Sequence, residues 1–340
     1  MTVITVAAAQ IACVAGDVGA NLDLHLAALA EAGRRGVDLL VFPELSLADY
    51  VSEPDADRVA LAADGPELAR LAAAAPGAVI VAGFVERTAA GRPHNAGAVL
   101  AGGRVVHVHR KLNLPTYGAL VEGRHYAPGT RLGLAPTRLG PLATLVCADT
   151  WNPALPWLAA LAGAALVAVP IASARGAVSD LFDSRDGWTV NLRHTAISYG
   201  LPVVMANHCG RRGGLDFWGG SAIFDGHGRE VARAGDGPEL LVADIDLDDA
   251  RRARAELPTV RDADPALVRR ELERLLDDPD PSLPQAPRPA AATSPAGVGG
   301  RSASPGEGGP GRVAPTPLAP HASRPTPPGE GSNGDTARLP

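Results

Sequence analysis

Apolar residues along this chain fall into two rhythms, continuous short runs and repeats at three- to four-residue spacing, with turn residues between them. Residues 3–9 form a β-rich run. Asn21 then stands as a candidate helix cap, with Leu22, Leu26 and Leu29 on one face and a stop between Gly33 and Gly36. Residues 37–42 read as a buried strand interrupted only by Asp38 and stopped by Pro43. Pro66 opens a second helix to residue 75, and a strand follows at 79–84. Segments 96–101 and 104–109 flank Gly102-Gly103, a two-residue hairpin signal. Residues 142–146 predict a short buried strand. Further on, Trp188, Leu192, Ala196 and Tyr199 keep helical spacing before a strand at 203–206. A second hairpin, 221–224 with 229–232, turns at Asp225-Gly226, and a last strand spans 240–245. The final helix, 265–276, has Asp264 as its cap.

An internal echo accompanies this alternation. Gly36-Val37-Asp38-Leu39-Leu40-Val41-Phe42-Pro43 is matched by Gly163-Ala164-Ala165-Leu166-Val167-Ala168-Val169-Pro170, each after an amphipathic helix. Two units of one design suggest two similar sheets, each covered by helices on one side, within an α/β layered fold. The uncharged stretch from Thr150 to Ala174 contains Pro153, Pro156, Gly163 and Pro170, and about half of its apolar positions are Ala. A helix, a glycine stop and a strand suit it better than a membrane span.

Composition then narrows the classes. About half of the 31 prolines lie in 279–340, which has no aromatic residue and reads as disordered. The net charge of −6 supplies no basic surface for nucleic acid. Three dispersed cysteines, Cys13, Cys147 and Cys209, argue for a reducing compartment rather than a disulfide framework. The first residues lack the basic region of a signal peptide, so the expected location is cytoplasmic, with no membrane partner. Of 31 basic residues only one, Lys111, is lysine. A chain that writes its bases as Arg and keeps one Lys points to a place where guanidinium cannot replace ammonium.

Three reactive residues stand directly after strand segments: Glu44, Lys111 and Cys147. Ligand sites in layered α/β folds gather at strand ends. A thiol is a nucleophile, a carboxylate can take its proton, and a fixed cation can hold the charge that develops on a carbonyl oxygen. That set suits acyl transfer, with Lys111 expected in an open cleft. Other readings stand beside it. His107 and His109 on one strand face could ligate zinc. His194 or His208 could pair with Cys147 as a Cys-His hydrolase. A non-catalytic binding protein is a third alternative.

The surrounding segments carry a resemblance. Phe42-Pro43-Glu44-Leu45-Ser46, Arg110-Lys111-Leu112-Asn113-Leu114-Pro115-Thr116-Tyr117 and Leu145-Val146-Cys147-Ala148-Asp149 closely resemble, in order and spacing, the signature segments of the nitrilase superfamily of carbon–nitrogen hydrolases. Gly16-Asp17 with Asn21, and Asn207 with Phe217-Trp218-Gly219-Gly220-Ser221, support it. Leu114-Pro115-Thr116-Tyr117-Gly118 with Tyr126-Ala127-Pro128-Gly129 resembles most the amidase-like branch related to glutaminase domains of NAD synthetases. The resemblance implies a four-layer α-β-β-α sandwich over 1–260, followed by a helical arm at 261–278, and needs neither metal nor organic cofactor. It implies Glu44 as general base, Lys111 as oxyanion cation, Cys147 as nucleophile and Glu122 as a second active-site glutamate, with the Ala148 backbone N–H as oxyanion donor. The activity implied is hydrolysis of a small linear amide through a thioester, with carbamoyl or nitrile substrates as alternatives. A homodimer or larger homo-oligomer is the implied assembly. Tyr50, Tyr117 and Trp151 are candidate pocket walls. His208-Cys209 departs from the family pattern and is expected at the pocket floor, and the partners of Asp149 stay open.

Overall fold

The computed structural model describes residues 2–50, 56–89 and 91–278. The expectation of a disordered segment at 279–340 lies outside the described residues. One compact unit spans Met1–Glu271, and a second begins at Leu272.

The first half runs β1 (Val3–Gln10), α1 (Val18–Arg34), β2 (Leu39–Val41), α2 (Ala56–Val59), α3 (Pro66–Ala74), β3 (Val79–Glu86), β4 (His94–Ala101) and β5 (Arg104–Arg110). The second runs α4 (Glu122–His125), β6 (Leu134–Thr137), β7 (Gly140–Thr144), a 3-10 turn over Cys147–Trp151, α5 (Ala154–Leu161), β8 (Leu166–Ile171), β9 (Ala174–Arg175) and α6 (Ser184–Tyr199). It continues through β10 (Val203–Asn207), β11 (Cys209–Arg212), β12 (Leu215–Trp218), β13 (Ala222–Phe224) and β14 (Glu230–Arg233). The last described elements are β15 (Glu239–Asp246), α7 (Leu247–Glu256) and α8 (Pro265–Asp277).

Two six-stranded sheets result, ordered β15-β1-β2-β3-β4-β5 and β14-β13-β10-β8-β7-β6. From β15, successive pairings are antiparallel, parallel, parallel, antiparallel and antiparallel. From β6 the second sheet repeats that sequence of pairings. β2 and β8 hold the same third place, so the sequence echo is a duplicated design.

Side-chain alternation explains the layers. Along β1, Ile4, Val6 and Ala8 face one way and Ala7 and Ala9 the other. The first set meets Leu142, Leu166, Ala168 and Val204 of the second sheet in the central layer. The second set packs with Leu22 and Leu29 of α1 and Leu68 and Leu71 of α3. On the opposite flank, Val167 and Val169 of β8 pack with Leu155 of α5 and Trp188 and Leu192 of α6. The four-layer α-β-β-α sandwich thus rests on three apolar interfaces, with each fully buried Leu, Ile or Val contributing about 1.5–3 kcal/mol.

Local chemistry places the ends. Gly102 and Gly103 both take positive φ, as a two-residue hairpin requires. Asp17, not Asn21, caps α1, its carboxylate accepting from Ala20 N at 3.0 Å. Asn21 lies one turn further in, fully buried, and its amide bonds the backbone of Val14 and Leu47. The stretch after Thr150 forms α5, a stop at Gly163 with φ 88° and β8. Among the described residues no helix is long and apolar enough to cross a membrane.

Candidate active site

Glu44 owes its place to a crowded turn. Pro43 ends the strand, Glu44 N donates to Ile171 O of the other sheet at 3.3 Å, and Leu45 is forced to φ 52°. β3 lies so close that a Cβ on Gly83 would sit 2.3 Å from Pro43 O and 2.4 Å from Leu45 N. Only glycine allows that approach. The Glu44 carboxyl is therefore carried inward, fully buried.

Lys111 follows β5 and is held by its backbone: its N donates to Asn95 O and its O accepts from Gly129 N, each at 2.8 Å. Its ammonium donates to Glu44 Oε1 at 2.6 Å and Glu122 Oε1 at 2.8 Å. Asn95 Nδ2 donates to Glu44 Oε1 at 2.7 Å, and Tyr50 OH to Glu122 Oε1 at 2.7 Å. The open cleft expected for Lys111 is not found: it is fully buried. Glu44 and Glu122 provide the counter-charge that a buried ammonium requires.

The charges push on one another. Burial, with the nearby Glu44 carboxyl opposing Lys111, raises the Glu122 carboxyl to about 7. Burial alone would lower Lys111, but Glu122 and Glu44 outweigh it and hold the ammonium well above its usual range. Asn95 Oδ1 and Glu44 Oε2 of this cluster are buried with no hydrogen-bond partner, and the second belongs to a carboxyl group. Such an oxygen is a free proton acceptor.

Cys147 opens the 3-10 turn after β7 and takes φ 48°, the left-handed region. For a non-glycine residue that costs on the order of 1–2 kcal/mol. Asp149 holds the turn down and answers the open question of its partners. Its Oδ1 accepts from Leu112 N at 3.0 Å and Asn113 N at 2.9 Å, and its Oδ2 from Val146 N at 3.2 Å. His109 Nε2 lies 2.9 Å from the same Oδ2. The carboxylate thereby ties the segment after Lys111 to the cysteine turn. Burial, then the charge of Glu44, push the Cys147 thiol well above its usual range, against the pull of Lys111. The resting thiol keeps its proton, so a base is needed to activate it.

A cavity of about 240 Å³ opens over Cys147 and Ala148. Tyr50, Tyr117 and Trp151 all line it, as does Glu122. Neither imidazole proposed to partner Cys147 does: His194 is exposed on α6, and His208 lies behind Glu44, its Nε2 2.6 Å from Glu44 O. His208 therefore does not form the pocket floor.

A carbon-nitrogen hydrolase family model matches residues 5–255 of this chain. The chain belongs to that family. It is a hydrolase of carbon–nitrogen bonds other than peptide bonds, in the nitrilase superfamily. The chain is 30% identical over 249 residues to the glutamine-dependent NAD(+) synthetase of Thermotoga maritima, covering 72% of this chain but only 42% of that protein. It is 27% identical over 282 residues to N-carbamoylputrescine amidase of Solanum lycopersicum, covering 78% of this chain and 94% of that one. Among solved structures, an amidase mutant from Nesterenkonia sp. AN1 superposes with a TM-score of 0.66 at 28% identity, over 78% of this chain and 96% of that one. That structure carries the acetamide moiety of fluoroacetamide added covalently at its active-site cysteine.

In this hydrolase a second polar cluster, unseen in the sequence, lies behind Glu44. Ligand atoms of Cys13, Asp49 and His208 fall within 4.8 Å of one another, as a metal would require. Arg212 already supplies the cation: it bonds Asp49, and its Nη2 lies 2.6 Å from His208 Nδ1. Those donors are matched, and the set does not fit a metal without displacing Arg212. The zinc reading of His107 and His109 also fails, since His109 is engaged by Asp149 and His107 joins no ligand group among the described residues. Asn95 was missed as well. A lone Asn within an apolar strand carries no periodic signal, and only its contact with Glu44 reveals it.

Proposed function

We propose that this hydrolase cleaves a small amide through a thioester on Cys147. Glu44 Oε2 takes the thiol proton, the thiolate attacks the carbonyl carbon, and Lys111 with the Ala148 N–H holds the resulting oxyanion. Glu44 then gives its proton to the leaving nitrogen, and the C–N bond breaks to release ammonia or an amine. Water attacks the thioester, Glu44 takes its proton and returns it to the departing thiolate, and the carboxylic acid leaves. The observation that carries this reading is the buried, unbonded Glu44 Oε2 beside a buried ammonium and a protonated thiol. The Nesterenkonia amidase, with its adduct on cysteine, supports the same chemistry. The N-carbamoylputrescine amidase match, which extends over most of that protein, favours a second reading in which the amide is an N-carbamoyl group.

Cys147→Ala should abolish turnover while circular dichroism stays that of the parent. Intact mass of wild type quenched during turnover should show one acyl group, and peptide mapping should place it on Cys147. Acylation of Cys13 or Cys209 instead would sink the assignment.

A further inference from the structure

We infer, on the reading of Cys147 as nucleophile, that the substrate is a neutral amide with a flat apolar acyl group, of the arylacetamide class, and that amides with a charged end are excluded.

The first ground is where the chain spends its aromatic residues. It has only four Trp, four Tyr and five Phe in 340 residues. Five of these, Tyr50, Tyr117, Trp151, Phe182 and Trp188, line the cavity over Cys147. Trp151 meets Phe182 edge-on at 5.8 Å and Trp188 at 5.2 Å, the geometry in which aromatic rings attract. Tyr117 and Trp151 are also exposed, so they stand at the mouth.

The second ground is a glycine inside a helix. Gly187 sits in α6, where glycine is less favourable than alanine. A Cβ there would lie 2.6 Å from the Phe182 ring and 3.3 Å from that of Trp151. The missing side chain gives the aromatic wall its room, so helix stability is yielded in favour of the shape of this cavity.

The third ground is charge. Among the described residues, Glu122 is the only acid on the cavity wall and no Arg lines it, while the chain's one Lys, Lys111, is buried and already bonded to Glu44 and Glu122. Lys111, Tyr50 and Asn95 already engage that carboxylate. An ammonium or carboxylate on the far end of a substrate would lose hydration and meet no counter-charge. The volume of about 240 Å³ lies below the usual span for drug-sized ligands, which admits one ring and a short linker.

The test compares kcat/KM for phenylacetamide, acetamide, glutamine and N-carbamoylputrescine, with intact mass at Cys147 recorded for each. Phenylacetamide should exceed acetamide by at least about tenfold, from burial of its ring. It should exceed both charged compounds by at least about 100-fold. In Phe182→Ala the ratio of phenylacetamide to acetamide should fall about tenfold. A charged compound turned over as well as phenylacetamide, with acyl-Cys147 still formed, overturns the substrate class and leaves the site reading standing. Turnover of any of these amides that survives Cys147→Ala overturns both.

Discussion

Two buried polar clusters flank the turn after Pro43, and they differ in how completely they are satisfied. In one, Glu44, Lys111, Glu122, Tyr50 and Asn95 are mutually bonded, yet Glu44 Oε2 and Asn95 Oδ1 have no partner. In the other, Asp49 bonds Arg212 and accepts from Tyr50 N at 2.8 Å. There, too, Arg212 donates to Cys209 O at 2.8 Å, and Cys13 Sγ donates to Ser46 O at 3.2 Å. His208 Nε2–H is left to donate to the Glu44 carbonyl, because its Nδ1 receives Arg212. Burial, then the Arg212 charge, push His208 down to about 4, so it is neutral near pH 7. A buried polar atom without a partner costs about 1–3 kcal/mol. The saturated cluster braces a turn with left-handed Leu45 and Asp49, while the unsaturated one faces a cavity and keeps an oxygen in reserve. Of the two clusters, the saturated one braces the turn, and the unsaturated one holds the groups that the proposed reaction uses.

Breaking the brace should cost stability more than turnover. Arg212→Met leaves Asp49 as an unpaired buried charge, a change that typically costs about 3–5 kcal/mol. Urea unfolding should report a loss of that order, with turnover per folded molecule falling less than tenfold. Turnover that collapses while stability holds would erase the distinction between the clusters.

Lys111→Arg should invert that pattern. An ammonium fits between two carboxylates and a carbonyl oxygen, whereas a planar guanidinium must displace one of them. Losing an oxyanion donor typically costs about 100- to 1,000-fold in kcat, and at least the lower figure is expected on the best amide. In the open cleft expected from the sequence, the exchange would change stability only modestly. Full burial of Lys111 adds an overpacking cost of about 1–3 kcal/mol. Turnover within a few-fold of wild type would remove Lys111 from the reaction.

The contrast between the clusters also explains what could be read beforehand. Strands such as β2 and β8 announce themselves because two-sided burial leaves an unbroken apolar run, and their shared place in two sheets echoes in sequence. Glu44, Lys111 and Cys147 stand out as reactive residues after such runs. The joining of Asp49, His208 and Arg212 into one cluster does not, because ion pairs that close between residues 163 positions apart obey no local period. Asn21 has the residue type of a cap, but Asp17, four residues nearer the chain start, turns its carboxylate back onto the helix and takes that place. A third, three-stranded sheet, ordered β11-β12-β9, gives no such signal, since strands of two to four residues are too short to show alternation.

The smallest expected effect concerns Glu122, whose carboxyl titrates near 7. Below that pH Glu122 is protonated and Lys111 is left to Glu44 alone, which draws the ammonium onto the carboxyl that must take the thiol proton. Above it, the ionised Glu122 shares Lys111, and proton transfer to Glu44 is easier. Wild-type kcat/KM should therefore rise with pH through about 7, by up to about tenfold, the factor one pKa unit of interaction carries. Glu122→Gln mimics the protonated acid, so its profile should lack this rise and stay at the acid-limb level. Stability supplies a control of opposite sign. The folded carboxyl holds its proton from its usual 4.5 up to about 7, so the folded state binds more protons than the unfolded state in that window. Wild-type stability should fall as pH climbs from 4.5 to 7, and the Gln variant should be free of that contribution. If the variant keeps the activity rise near 7, another group titrates there, and Glu122 belongs with the brace rather than with the chemistry.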